Sequence, residues 1–310
     1  MNAPIETAGQ ARGIPAAPLR GGVKLSTVRF DIDIVAKSSI VHGQGRSSGR
    51  ADTVSVFRRE KIITPDGDMI RVPVVSGNSF RGVLRRIGEG LTADVLRYEQ
   101  SLPIPAAHLL TNGGRLGKTD KPMTDDRERT LKALIPQIAI FGGDASGRVM
   151  SGLLTVSKVL PEVAELAHIL PRPPSGPLPS AIRGMTAESY THLADHRPST
   201  SEPPVMNTEA KEDSPLGIFG FEALSAGTRM QSWVQISHAT DYQLAFFNSV
   251  LAAFAERGHL GGRSAAGHGA ISATVHATAL RGELPNPDLD WAAQLRRKRR
   301  AAIQALTDLT

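Results

Sequence analysis

The sequence predicts an α+β fold, because it carries two apolar periodicities in separate places. From Val28 to Ile34 the residues alternate strictly, with Val28, Phe30, Ile32 and Ile34 on one side and Arg29, Asp31 and Asp33 on the other, which is the pattern of a half-buried strand. Helical spacing replaces it at Phe80, Val83, Leu84, Ile87 and Leu91, and again at Phe247, Val250, Leu251 and Phe254. Two further extended segments, GTRMQSWVQIS and the alternation of Ile271, Ala273 and Val275, complete the set of core elements.

Taken in order, residues 1–22 are rich in Ala, Gly and Pro without either periodicity and read as a flexible arm. A core spans 23–282 with three insertions. The first, 43–75, holds a Gly-rich basic loop (HGQGRSSGR) and then a hairpin, TVSVFRREKIIT and MIRVPVV joined at PDGD. The second, 100–130, is a turn-rich loop, followed by an amphipathic piece from Asp126 to Ile138 and a turn and strand in IFGGDASGRVMSGLLTVSKVL. In the third, 161–215, prolines recur and the apolar pattern weakens, so it reads as an excursion projecting from the body. Gly258 ends the second main helix, and 283–310 form a basic tail or helix.

The chain has 310 residues, 40% of them hydrophobic, enough for a substantial core. A formal charge of +6 favours anionic partners, with nucleic acid first among them. The absence of cysteine excludes disulfides and thiolate metal sites and fits a reducing, cytoplasmic setting. No run of apolar residues reaches membrane-spanning length.

Two segments carry the chemistry. Ser76-Gly77-Asn78-Ser79 opens a helix whose Arg81 and Arg85 lie one turn apart. Free N–H groups at a helix start, a glycine that permits close approach and two guanidiniums make a phosphodiester cradle, or else an ordinary N-cap with a solvated basic face. Gly261-Gly262-Arg263-Ser264 to His268-Gly269 precedes the last strand; its bare backbone and arginine suit a sugar-phosphate chain, or serve simply as a flexible connection. Arg46 and Arg50 in the first Gly-rich loop add cations.

In this order, the two segments resemble those of the RAMP superfamily of CRISPR proteins, in which a helix start of this kind and a C-terminal Gly-rich loop frame a modified RRM, or ferredoxin-like, core. Asn78 stands where the family usually has Ser, and Phe141-Gly142-Gly143 resembles the family's turn before a strand. The likeness runs from about Leu25 to Ala277, and the divergent wording suggests a type IV system. It implies a crRNA-binding backbone subunit: copies stack head to tail into a helical filament beside other effector subunits, the 161–215 excursion is a thumb over the RNA, and the bases stay free to pair with a target. RNA contacts are then expected at Arg46, Arg50, Ser76, Gly77, Asn78, Ser79, Arg81, Arg85, Gly261, Gly262, Arg263, Ser264 and His268, with no cofactor, metal or membrane.

Other readings are weaker. Asn112-Gly-Gly-Arg-Leu-Gly-Lys-Thr119 nearly spells a phosphate-binding P-loop, but the first glycine is missing and prolines and aspartates surround it. Gly43-x-Gly45 precedes a strand where a dinucleotide fold needs a helix. His192 and His196 have metal-ligand spacing without a third ligand. Asp52 is the catalytic alternative, since type III relatives carry a cleaving aspartate in the comparable loop; a guide-directed endoribonuclease would use it. A self-assembling scaffold without nucleic acid is a further class. Aromatic residues are only 5% of the chain, which argues against a base-stacking platform of the usual RRM kind. The tail cations Arg296–Arg300 are open between RNA contact, a neighbour and plain solvation.

Overall fold

The structure, a computed structural model, describes residues 6–7, 24–44, 54–99, 101–114, 123–145, 147–193 and 216–309. Along the chain these form β1 (Glu6–Thr7), β2 (Ser26–Ala36), β3 (Val54–Ser55), β4 (Arg59–Ile63), β5 (Met69–Pro73), α1 (Gly77–Leu96), α2 (Ile104–Asn112), α3 (Asp125–Leu134) and α4 (Pro136–Phe141). There follow β6 (Gly143–Ala145), β7 (Arg148–Met150), β8 (Leu154–Val156), β9 (Leu160–Pro161), β10 (Met185–Leu193), β11 (Leu216–Leu224), β12 (Arg229–Ala239), α5 (Asp241–Arg257), β13 (Ile271–Arg281), α6 (Trp291–Arg297) and α7 (Arg299–Thr307).

The main sheet has the order β1-β13-β2-β12-β8, with β9 also on β12. Pairings of β2 with β12 and β13, and of β12 with β8, are antiparallel. Within it, β2-α1-β8-β12-α5-β13 is a βαββαβ unit whose strands lie in the spatial order fourth, first, third, second, the ferredoxin-like arrangement. The fold is therefore α+β with a ferredoxin-like core. Glu6 and Thr7 pair in parallel with His276 and Ala277 on the outer strand; the remainder of the predicted arm lies outside the described residues.

The alternation of β2 sets the layers. Val28, Phe30, Ile32 and Ile34 are buried on one face, where Phe30 meets Phe247 of α5 edge-on at 5.6 Å. Phe246, Phe247, Val250, Leu251 and Phe254 give α5 its buried stripe, each contributing on the order of 2 kcal/mol by leaving water. A capping box between Thr240 and Gln243 starts this helix. Phe80 of α1 packs on Phe254 at 5.3 Å, which ties the two helices together over the sheet.

Two stretches differ from the sequence expectation. The turn-rich loop read over 100–130 contains α2, because Pro103 caps that helix and Pro105 falls in its first turn, where a missing N–H costs nothing. The amphipathic piece from Asp126 to Ile138 is two helices, divided at Ile135, whose extended backbone is the conformation a following proline imposes.

The Pro-rich stretch does not project at its start. Within residues 161–184, Val163, Leu166 and Ala181 pack with Val72 and Val74 at the end of β5, and Arg172 reaches the polar face of the sheet, where it ion-pairs with Asp31 at 3.0 Å and with Asp33 and donates to the Ile32 carbonyl at 3.1 Å. The buried Glu162 accepts from Gln231 and Arg229, each at 2.8 Å. Burial would raise the Glu162 carboxyl, but those donors and Ser175 outweigh it and hold the group below the usual carboxylate range. Prolines suit a segment pinned by side chains instead of ladder hydrogen bonds. The long hairpin of β10 and β11 begins only at Met185, and its 194–215 connection lies outside the described residues.

The basic tail is folded onto the core. Trp291 and Leu295 of α6, and Ala302 and Leu306 of α7, are buried, and the Trp291 indole donates to Ser249 Oγ at 2.9 Å. No helix among the described residues is long and apolar enough to cross a membrane.

Candidate nucleic-acid interface

After β2 the chain runs through Lys37–Gln44, and this short loop is where the two singled-out segments meet. On one side, the Gly262 N–H donates to Val41 O at 2.7 Å and the Gly269 N–H to Ser39 O at 2.8 Å, so the Gly-rich loop closes onto it like a strand edge. Gly261 and Gly269 have φ of +81° and +83°, and a Cβ on them would stand 2.1 Å from Val41 O and 2.2 Å from Leu260 O. Only glycine fits both places. Gly262, by contrast, is exposed: the nearest atom to a Cβ placed there would be Val41 O at 4.0 Å, and its bare backbone faces solvent.

On the other side, His42 Nε2 accepts from the Ser76 N–H at 3.2 Å. Ser76 in turn caps α1, its Oγ accepting from Ser79 N–H at 3.2 Å. The next residue, Gly77, lies against the backbone carbonyls of Val156 and Ser157, where a Cβ would stand 3.2 Å from Ser157 O. The glycine thus serves the approach of α1 to β8, while Asn78 beside it is exposed.

Arg81 and Arg85 do not face solvent as a phosphate cradle would require. Arg81 donates to Leu154 O at 2.6 Å and Phe141 O at 2.8 Å. Arg85 is 7% exposed, donates to Phe141 O at 2.7 Å, Gly142 O at 3.0 Å and Leu109 O at 3.2 Å, and lies 5.4 Å from the Phe141 ring. Burial, and then the Arg81 charge, bring the Arg85 guanidinium down to about 10, so it stays charged at neutral pH. The two arginines satisfy the last carbonyls of α4 and α2, a favourable place for cations.

Arg263 is likewise engaged. It sits at φ +60°, donates to the Tyr190 hydroxyl at 2.7 Å, and its guanidinium lies 4.2 Å from the Tyr190 ring and 4.7 Å from the Phe221 ring. His268 meets Phe221 edge-on at 5.2 Å and contacts Ser39 Oγ through Nδ1 at 2.8 Å. Through these contacts the Gly-rich loop holds the β10–β11 hairpin along its described length, where Tyr190 also stacks on Phe219 at 5.5 Å. Ser264 is exposed. Arg46, Arg50 and Asp52 lie outside the described residues.

Several participants were missed in the sequence. Ser39 and His42 carry no motif, and only their meeting partners give them roles. Tyr190, Phe219 and Phe221 are one aromatic group, of which the alternation Phe219-Gly-Phe221 was the only local sign; the low aromatic content hid it because it is an average over the chain. Lys37 and Arg58 flank the loop as exposed cations, Lys37 through its N–H to Ala270 O at 2.8 Å and Arg58 through its N–H to His42 O at 2.7 Å.

His42 gives a pH test. Burial, and then the Arg58 charge, lower its pKa from the ordinary 6.5, which keeps Nε2 free to accept from Ser76. With the folded value depressed, the unfolded chain binds the proton more readily, so this stabilisation is whole above about 6.5 and is lost as pH falls through the folded value. The denaturant midpoint of the unaltered protein should fall between about pH 7 and pH 5, and more gently in His42→Gln; identical slopes would remove His42 from this role.

Elsewhere, Asn112-Gly113-Gly114 is the end of α2, with Gly113 at φ +84° and the Asn112 side chain accepting from Gly114 N–H at 2.8 Å. That is a helix C-cap, and no strand leads into it as a P-loop requires. Among the described residues no group of three or more His, Asp or Glu is placed to hold a metal ion; His196 and the His192 side chain lie outside them.

A family model of the RAMP superfamily matches residues 18–272. Among solved structures, a chain described as "Type IV-B CRISPR Complex" is 50% identical, with a TM-score of 0.58, over 86% of this chain and 98% of that one. No curated protein matches.

Proposed function

The chain belongs to the RAMP superfamily, and from that premise we propose that it is the backbone subunit of a type IV CRISPR effector complex, holding guide RNA by its sugar-phosphate chain without cleaving it. The observation that carries this reading is the meeting of the α1 start and the Gly-rich loop on the Lys37–Gln44 loop, a surface of exposed backbone and small polar side chains at the root of a long hairpin. Gly43, Gln44, Asn78, Gly262 and Ser264 are exposed there. The Gly43, Asn78 and Ser264 N–H groups and the exposed polar side chains would take phosphate and ribose oxygens, with Lys37, Arg58, Arg46 and Arg50 supplying charge; the Gly262 and Gln44 N–H groups already donate to Val41 O and Val56 O, so Gly262 would serve by allowing close approach.

Arg81, Arg85 and Arg263 are assigned positioning roles in this reading, the first two beneath α1 and the third against the hairpin. Ser76, Ser79, Gly77, Gly261, Gly269 and His268 likewise shape the surface. The RNA would not lie on the open face of the sheet in the usual RRM manner, because Arg172 occupies Asp31 and Asp33 there and Trp233 is already stacked with Arg29 at 4.6 Å. Contacts of this kind ignore sequence, so the bases stay available for pairing, and copies stacked head to tail would coat a guide of any sequence.

The assembled complex should copurify with RNA that gives a ladder of protected fragments, and binding should weaken steeply with salt. Oligomers free of nucleic acid would overturn the reading in favour of a scaffold. Guide-complementary RNA should remain intact; cleavage that disappears in Asp52→Ala would overturn the non-catalytic part.

A further inference from the structure

The tail cations are not a loose basic end. Trp291, Leu295, Ala302, Leu306 and Leu309 are buried, and within the run Arg296–Arg300 two cations are committed to the fold. Arg299 donates to Leu96 O at 2.7 Å and Arg97 O at 3.3 Å, closing the C-terminal end of α1, and Lys298 lies 5.5 Å from the Tyr242 ring. The other three, Arg296, Arg297 and Arg300, are exposed, and their guanidiniums form no ion pair or hydrogen bond with the described residues. The carboxylates that flank the run in sequence do not neutralise them: Asp290 caps α6 by accepting from Ala293 N–H at 2.8 Å, and Asp308 accepts from Gln304 at 2.9 Å.

This arrangement runs against helix electrostatics. Arg299 and Arg300 stand in the first turn of α7, which has no acidic residue, so positive charge is added to the positive end of a helix dipole. Solvated arginines on a free tail could spread apart; these are held together by the buried side chains on either side. The cluster is also remote from the loop surface, because α1 starts at Gly77 and ends at Leu96, and its 20 residues span about 30 Å.

We infer that Arg296, Arg297 and Arg300 form a second nucleic-acid surface, which holds the phosphate backbone of a strand other than the bound guide. The inference rests on the guide-binding reading above. Unpaired guanidiniums match phosphate oxygens in geometry and charge, and the docked helices that carry them spare the backbone ordering cost of a mobile tail. A strand drawn to this surface would be the incoming partner of the guide, captured first without regard to sequence and retained where it pairs.

The test uses the assembled complex with Arg296→Gln, Arg297→Gln and Arg300→Gln together, and a melting curve to establish that the tail is still docked. Guide content, read as the 260 to 280 nm absorbance ratio, should be unchanged. Affinity for an added single-stranded oligonucleotide, complementary or not, should fall about a hundredfold near 0.1 M salt, and the slope of log K against log salt should flatten by about 2, the loss of three contacts. Unchanged oligonucleotide affinity and slope would overturn the proposal, and so would loss of a protein component with oligonucleotide binding intact, which would make this an acidic-protein site. A fall in guide content would overturn it too, by assigning the arginines to the first surface. Failure of the guide-binding reading is seen separately, as an unaltered complex that contains no RNA.

Discussion

Gly269→Ala should lower the stability of the protein by about 3 kcal/mol, while Gly262→Ala, seven residues away in the same loop, should change it by less than about 0.5. At Gly269 the backbone is at φ +83° and a methyl group would lie 2.2 Å from Leu260 O, a main-chain atom that cannot move without releasing the Leu260 N–H from Gly269 O. Two costs therefore add, the left-handed conformation and the displaced backbone. Gly261→Ala should behave like Gly269→Ala, since its methyl would meet Val41 O at 2.1 Å. Denaturant midpoints at constant m would measure all three. Equal losses at Gly262 and Gly269 would show that flexibility, and not close approach, is what the loop needs. The mild variant has a second use: on the proposed RNA-binding reading, Gly262→Ala should fold normally yet retain less RNA, because a methyl group would intrude on the close approach that the exposed glycine allows.

The core was legible because its signals are local. The alternation of β2 and the stripes of α1 and α5 each lie within a dozen or so residues, and every one of those apolar positions in β2 is buried. Family membership was legible for a different reason: two short segments in the right order, far apart in sequence, had to be brought together by any such fold. The structure does bring them together, through the Lys37–Gln44 loop. What failed was the reading of proline. Pro103 and Pro105 suggested a loop and open a helix, and the prolines of 161–184 suggested projection although Arg172 and Glu162 pin that stretch to the sheet. Proline rules out ladder hydrogen bonds, but it does not say whether side chains elsewhere will anchor the segment.

The site was legible as a place and less so as a set of contacts. An arginine in a sequence is equally a phosphate ligand or a cap on a helix end, and the choice depends on carbonyls that are distant along the chain. Arg85 reaches residues 109, 141 and 142; Arg263 reaches Tyr190. No local pattern reports such partners. Glycine is no more transparent: Gly261 is required by close packing against Val41 O, whereas Gly262 faces solvent.

Arg85→Ala separates these meanings and should have the largest effect on stability, a loss of about 4 kcal/mol. The Leu109 and Gly142 carbonyls would lose their arginine donor in a buried place, the Phe141 carbonyl would keep only Arg81, and the space left beside Phe141 would add a cavity term. Arg85→Lys should recover less than about half of this, because an ammonium keeps the charge without the planar fork that spans the Phe141 and Gly142 carbonyls. Arg81→Ala should cost about 2 kcal/mol, since that side chain is only half-buried and serves two carbonyls. In protein that remains folded, the salt dependence of RNA binding should be unaltered by either change. A phosphate ligand would behave in the opposite way: its removal would leave the unfolding midpoint in place and flatten the salt slope by about 0.7 for a single-stranded guide. Such a result for Arg85→Ala would mean that the guanidinium turns outward when RNA is bound, and the cradle at the start of α1 would then have to be assigned to it after all.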